Sequence, residues 1–129
     1  MKDKKILIVE DQIEMRTINT LFLERHGYRV MAVGNGAEGI RSAREHQPDL
    51  ILMDLSIPVV NGFDATEQIK RNPETEHIPV VVLTAFSYGS AGRRAREAGC
   101  DAFITKPCNP QRLLMEIQQR IGPAEEQLH

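Results

Sequence analysis

A doubly wound α/β fold, with five parallel strands in the order 2-1-3-4-5 and five helices covering both faces, is what this 129-residue sequence predicts. Short apolar runs (KILIV, LILM, VVVL, AFIT) alternate with longer segments whose apolar residues recur at helical spacing. Right-handed crossovers and short connections leave few other topologies for such an alternation. Each of these runs also stops at a polar residue: Glu10-Asp11, Asp54, Thr84 and, just past AFIT, Lys106. In an open parallel sheet the residues that follow the strands gather along one edge, in the crevice where ligands bind. Three carboxylates, a hydroxyl and an ammonium are therefore expected to meet.

Lys5 to Val9 is a continuous apolar run bounded by charge, as suits a strand buried on both faces. Ile13 to His26 carries Met15, Ile18, Leu21 and Phe22 at helical spacing and stops at Gly27. Tyr28 to Val33 reads as the second strand, Ala37 to Glu45 as a short helix ending before Pro48, and Leu50 to Met53 as the third strand. A loop from Ser56 to Gly62 holds Pro58, and a helix from Phe63 to Arg71 ends at Asn72-Pro73. Pro79 to Leu83 is the valine-rich fourth strand. Ser87 to Ala98 is the weakest helix, with Gly89, Ser90 and Gly92 inside it, each glycine costing about 1 kcal/mol against alanine; it is expected to be mobile. Ala102 to Thr105 is the fifth strand, and Pro110 to Ile121 the last helix, with Asn109 as N-cap and proline at its first position. Gly122 to His129 reads as a frayed tail.

A chain of this length is one domain and buries about two thirds of its unfolded surface. Hydrophobic residues at 41% and charged residues at 26% fit a globular protein and argue against disorder. The net charge of −2 offers no basic face for nucleic acid. The basic cluster Arg93, Arg94 and Arg96 reads as a solvated helix surface. MKDKKILIVED has too short an apolar stretch for a signal peptide or membrane span, so a cytoplasmic address without membrane insertion is expected. Cys100 and Cys108 make no disulfide framework, and no pair among the four histidines has zinc spacing.

Glu10, Asp11 and Asp54 crowded together would raise one another's pKa unless a cation sits among them. All-oxygen ligation by few protein groups suits Mg²⁺, which often binds one or two carboxylates together with a phosphate oxygen. Lys106 supplies a fixed positive charge and Thr84 a hydroxyl donor. Together these describe a site for a phosphoryl group attached to one of the carboxylates. Taken singly, each residue is an ordinary turn, cap or solvated side chain; it is the coincidence of four strand ends that points to chemistry.

The order Glu10-Asp11, Asp54 followed by Pro58 and Gly62, Thr84-Ala85, then Lys106-Pro107 resembles the receiver domain of two-component response regulators. The resemblance runs from Lys4 to Ile121, which assigns residues 1–121 to a stand-alone receiver of CheY-like, flavodoxin-like architecture and leaves 122–129 as a short tail. It implies that Asp54 is the phosphoacceptor for a histidine kinase or a histidine phosphotransfer protein. It also implies that Asp11, Asp54 and the Ser56 carbonyl bind Mg²⁺ directly, with Glu10 acting through water. Thr84 and the Ala85 N–H would hold phosphate oxygens, and Lys106 would pair with the phosphoryl group. Phe103 falls at the family's switch-aromatic position, coupling Thr84 to the surface of the fourth helix, fifth strand and fifth helix, where a downstream protein would dock. Pro107 would follow a cis peptide bond. The domain so implied is a phosphoacceptor that promotes its own phosphorylation and dephosphorylation, not a turnover enzyme.

Ser56 is smaller than many residues at that position in receivers, Ile57 replaces the more usual methionine, and Ser90-Ala91 stands where related receivers often carry an acid. A phosphorelay intermediate is the main functional alternative. A haloacid-dehalogenase-like phosphatase also uses an aspartate nucleophile with Mg²⁺, but needs a second acid where Ser56 stands and has a cap domain. Gly34-Asn35-Gly36-Ala37-Glu38-Gly39 imitates a dinucleotide fingerprint after the wrong strand, so its glycines read as turn residues.

Overall fold

The computed structural model describes residues 3–55, 61–84, 90–106 and 108–124. Five strands, β1 (Lys5–Val9), β2 (Arg29–Val33), β3 (Leu50–Asp54), β4 (Val80–Thr84) and β5 (Ala102–Thr105), alternate with α1 (Ile13–Arg25), α2 (Gly36–His46), α3 (Gly62–Arg71), α4 (Ser90–Glu97) and α5 (Pro110–Ile121). The strands form one parallel sheet in the order β2-β1-β3-β4-β5, the predicted topology. No helix among the described residues is long and apolar enough to cross a membrane.

β3 and β4 are buried along their whole length, which is why they read as unbroken apolar runs instead of alternating ones. Side chains still alternate between the two faces. Ile6, Ile8, Leu50, Leu52, Val81, Leu83 and Ile104 pack with Leu23 of α1 and with Leu113, Leu114 and Ile117 of α5. Leu7, Val9, Ile51, Met53, Val80 and Val82 pack on the other face with Ala43 of α2, Ala65 and Ile69 of α3 and Ala95 of α4. Arg93, Arg94 and Arg96 are exposed as expected, and the Arg94 guanidinium lies 3.9 Å above the Phe63 ring. Cys100 and Cys108 are half-buried free thiols.

Several predicted boundaries move, for physical reasons. β3 extends by one residue to include Asp54, and β4 shifts by one, losing Pro79 and gaining Thr84, because register pairing continues through Asp54 with Leu83 and through Thr84 with Thr105. β2 loses Tyr28 and α1 loses His26 to the turn at Gly27, whose φ is 93°. The α4 helix ends one residue before the predicted Ala98, at Glu97, while residues 87–89 of the expected span lie outside the described residues. Gly36 and Gly39 are helical residues of α2, not turn residues. A Cβ on Gly39 would stand 2.9 Å from a Val9 methyl, so this glycine lets α2 settle on β1. The start of the tail is packed where fraying was expected: Ala124 joins the α1/α5 core, Lys4 Nζ donates to the Ile121 carbonyl, and the Tyr28 hydroxyl donates to that of Gly122 at 2.7 Å.

Gly62 fixes the approach of α3 to the sheet edge. Its N–H donates to the Leu55 carbonyl at 3.1 Å, and a Cβ on it would lie 2.3 Å from the Asp54 carbonyl oxygen and 2.5 Å from Leu55 Cα. Backbone cannot swing aside as a side chain can, so Gly62→Ala is expected to lose about 1–3 kcal/mol or more in urea denaturation. Gly92, in α4, faces nothing nearer than the Arg96 guanidinium at 3.8 Å. Gly92→Ala should therefore gain up to about 1 kcal/mol in the same measurement.

Candidate functional site

The sheet's parallel sense brings the predicted residues to its C-terminal edge, and alternation sorts them. Glu10 follows Ile6 and Ile8 in step, Asp54 follows Leu50 and Leu52, and Lys106 follows Ile104, so all three stand in register with the α1/α5 face. Thr84 follows Val80 and Val82, in register with the α2/α3/α4 face. Glu10 and Asp54 are buried, Thr84 is fully buried, Lys106 is half-buried and Asp11 is exposed.

Lys106 joins the two buried carboxylates, its Nζ lying 3.0 Å from Glu10 Oε1 and 3.5 Å from Asp54 Oδ2. Its own N–H donates to the Thr84 carbonyl at 2.6 Å, so the residue that carries the ammonium is tied to the end of β4. The Gln12 N–H donates to Glu10 Oε2 at 3.2 Å, and Arg16 Nη1 donates to the Glu10 carbonyl oxygen at 3.2 Å. Glu10 N–H in turn donates to the Val33 carbonyl at 3.0 Å, extending the β1–β2 ladder by one bond.

Burial, and next the Asp54 carboxylate beside it, push the Glu10 carboxyl above its ordinary pKa; Lys106 and the Gln12 N–H oppose the rise without cancelling it. Burial pulls the Lys106 ammonium down, but Glu10 and Asp54 together outweigh it and raise its pKa. Glu10, Asp11 and Asp54 each offer an oxygen within 4.8 Å of the others. A set of carboxylate oxygens without nitrogen or sulfur donors fits a hard cation of the Mg²⁺ class.

Of the residues predicted for this site, Glu10, Asp11, Asp54 and Lys106 are brought together. Thr84 shares the strand edge through its register with Thr105 and its bond from Lys106. Phe103 pairs in register with Val82 and is half-buried against the α2/α3/α4 core, the face to which Thr84 also belongs. Ser56, Ala85 and Pro107 lie outside the described residues. Sequence reasoning missed Gln12, whose contribution is a main-chain N–H that carries no residue signature. It also missed Arg16, one more charge on a largely exposed helix, and the contact that makes Gly62 obligatory.

Comparison with known proteins places this arrangement. Residues 6–118 match the family described as the response regulator receiver domain. The polar-differentiation response regulator DivK of Brucella anthropi is 40% identical over 122 residues, spanning 94% of this chain and 98% of its own length. The receiver domain of the sensor histidine kinase PA1611 of Pseudomonas aeruginosa PAO1, crystallised with a magnesium ion coordinated in its active-site cleft, superposes with a TM-score of 0.87 at 32% identity, covering 94% of this chain and 99% of that one. The signal receiver domain of a histidine kinase from Syntrophus aciditrophicus gives a TM-score of 0.87 at 33% identity, over 98% and 97% of the two chains. The acidic cluster at the strand ends therefore sits in a chain that belongs to the response regulator receiver family of two-component signal transduction.

Proposed function

We propose that Asp54 accepts a phosphoryl group from a histidine kinase or a histidine phosphotransfer protein, and that the acyl phosphate switches a protein-binding surface. The observation that carries this reading is the convergence of Glu10, Asp11 and Asp54 on Lys106 at the sheet edge of a receiver-family chain. An Asp54 carboxylate oxygen would attack phosphorus in line, forming a P–O bond as the P–N bond of the phosphoimidazole breaks; the imidazole leaves after taking a proton. Hydrolysis by water later restores the carboxylate. Phosphoryl transfer asks the protein mainly for positioning and charge neutralisation, and Lys106, already 3.5 Å from Asp54, is placed to supply a share of that charge.

Glu10, Asp11 and Asp54 would hold Mg²⁺, with the Ser56 carbonyl as a further ligand. When bound, the ion neutralises phosphoryl oxygens and relieves the repulsion among the carboxylates. Thr84 and the Ala85 N–H would receive phosphate oxygens, and Phe103, on the same sheet face as Thr84, would read the movement of that hydroxyl. Shifting the switch from 1:99 to 99:1 requires about 5.5 kcal/mol, which a few charge-assisted hydrogen bonds to the phosphoryl group can supply. A downstream protein would dock on the α4-β5-α5 face, in the cytoplasm where the kinase's phosphodonor is made. A relay role is the second reading, because the similar receivers from P. aeruginosa and S. aciditrophicus are parts of histidine kinases; the same site would then pass the group on to a phosphotransfer histidine.

Intact-mass analysis with acetyl phosphate and Mg²⁺ should show a single gain of about 80 Da, one PO₃H unit. Asp54→Ala should abolish it, and a gain that survives that substitution would refute the assignment. Phe103→Ala should keep the gain while weakening capture of the partner by the phosphorylated form.

A third expectation concerns pH. The Glu10 carboxyl has its folded pKa raised above the ordinary 4.5. Its favourable contribution is therefore present below that value and lost as pH rises through the folded one. In EDTA, Glu10→Gln should melt higher than the parent at pH 7, and the difference should shrink toward pH 4. Adding Mg²⁺ at pH 7 should raise the parent's melting temperature more than the variant's.

A further inference from the structure

One charged side chain beside the acidic cluster has no task in the function proposed above. Arg16, in the first turns of α1, is half-buried and reaches back over the strand ends, giving its hydrogen bond to the Glu10 main-chain oxygen and not to a carboxylate. That oxygen belongs to the peptide unit joining Glu10 to Asp11. The unit is planar, so a donor that fixes its oxygen also fixes the direction in which Asp11 leaves the strand. Among the described residues the other ties at this point are Glu10 N–H to the Val33 carbonyl and Gln12 N–H to Glu10 Oε2, neither of which is made to the oxygen that Arg16 holds.

Gly34 lies against the tip of that side chain. A Cβ there would stand 2.8 Å from Arg16 Nη1, so the guanidinium would have to shift from its present place to make room. The glycines with positive φ are Gly27, Gly99 and Gly122, so Gly34 is not needed for a left-handed backbone. What its missing side chain does is leave the guanidinium undisturbed beside it. The first glycine of the false dinucleotide motif therefore has a steric role at the end of β1, not a phosphate-cradling one.

We infer that Arg16 is a positioning residue, clamping the Glu10–Asp11 peptide so that its two carboxylates face Asp54, and that Gly34 exists to admit it. The inference rests on the reading of these carboxylates as the Mg²⁺ and phosphoryl site. A charged donor on a carbonyl is a strong hydrogen bond, and losing a partner that orients metal ligands typically costs 10- to 100-fold in metal affinity.

The test is a set of Mg²⁺ titrations followed by amide NMR shifts on Arg16→Met, Gly34→Ala and the double variant. Melting in EDTA establishes that each is folded. Each single variant should weaken Mg²⁺ binding about 10-fold, and the double should be no weaker than either, because both remove the same clamp. Arg16→Lys, which keeps a donor but loses the fork, should recover part of the affinity. In metal-free protein the Glu10 carbonyl-carbon shift should move in Arg16→Met and in Gly34→Ala alike. Parent-like Mg²⁺ affinity in either single variant, effects that multiply in the double, or an unmoved Glu10 carbonyl would overturn the inference. Absence of Mg²⁺ binding or phosphorylation in the parent would instead overturn the function on which it rests, while the carbonyl shift would still report on the clamp.

Discussion

Like charges packed at the end of a sheet are the constraint around which this molecule is arranged. Glu10 and Asp54 are buried side by side with Asp11 in reach, and the Lys106 ammonium bridges the two buried acids. A protein selected for stability alone would place apolar side chains there, since buried charges that are incompletely matched are costly. The surrounding structure supplies what the arrangement needs. β1 and β3 are anchored on both faces by dense apolar packing, α3 is seated on the Asp54 backbone at Gly62, and Lys106 is pinned to the end of β4. The repulsion is thereby held in place as a demand for cationic charge, the physical condition for taking up a divalent ion and, on the proposed function, a phosphoryl group beside it.

Much of this was legible in the chain because two periodicities are superimposed on it. Apolar runs of strand length separated by helical spacing fix the alternation, and chain chirality then leaves few topologies, of which the doubly wound order 2-1-3-4-5 is the one found. Once the strands are parallel, Glu10, Asp11, Asp54 and Lys106 must converge, since each ends a strand. What could not be read was information that resides in backbone atoms or in missing ones. The one-residue extension of β3 and the one-residue shift of β4 follow from ladder pairing between segments distant in sequence. Gly39 looked like a turn glycine because nothing local reports that a Val9 methyl lies 2.9 Å from its absent Cβ. Ala124 looked frayed because the groove that buries it is made by residues from the start of the chain.

The pleat adds a second level of order. Glu10, Asp54 and Lys106 belong to one side of the sheet, whereas Thr84 and Phe103 belong to the other, so this edge brings residues of both faces together. A charge added at that edge on the proposed function would act on both cores at once. Close-packed interiors respond to such a change by choosing between discrete arrangements and not by bending gradually. Phe103 is half-buried on the face of the sheet to which Thr84 belongs, packed against the α2/α3/α4 core.

The clasp that Lys4 and Tyr28 make on Ile121 and Gly122 joins the first and last elements of the fold at the pole of the sheet farthest from the carboxylates. Because the two ends of the folded unit meet there, a short linker could close them into a ring, and new termini could be opened elsewhere without disturbing the acidic edge. The same geometry separates the two ends of the described fold from its acidic edge, which lie at opposite poles of the sheet.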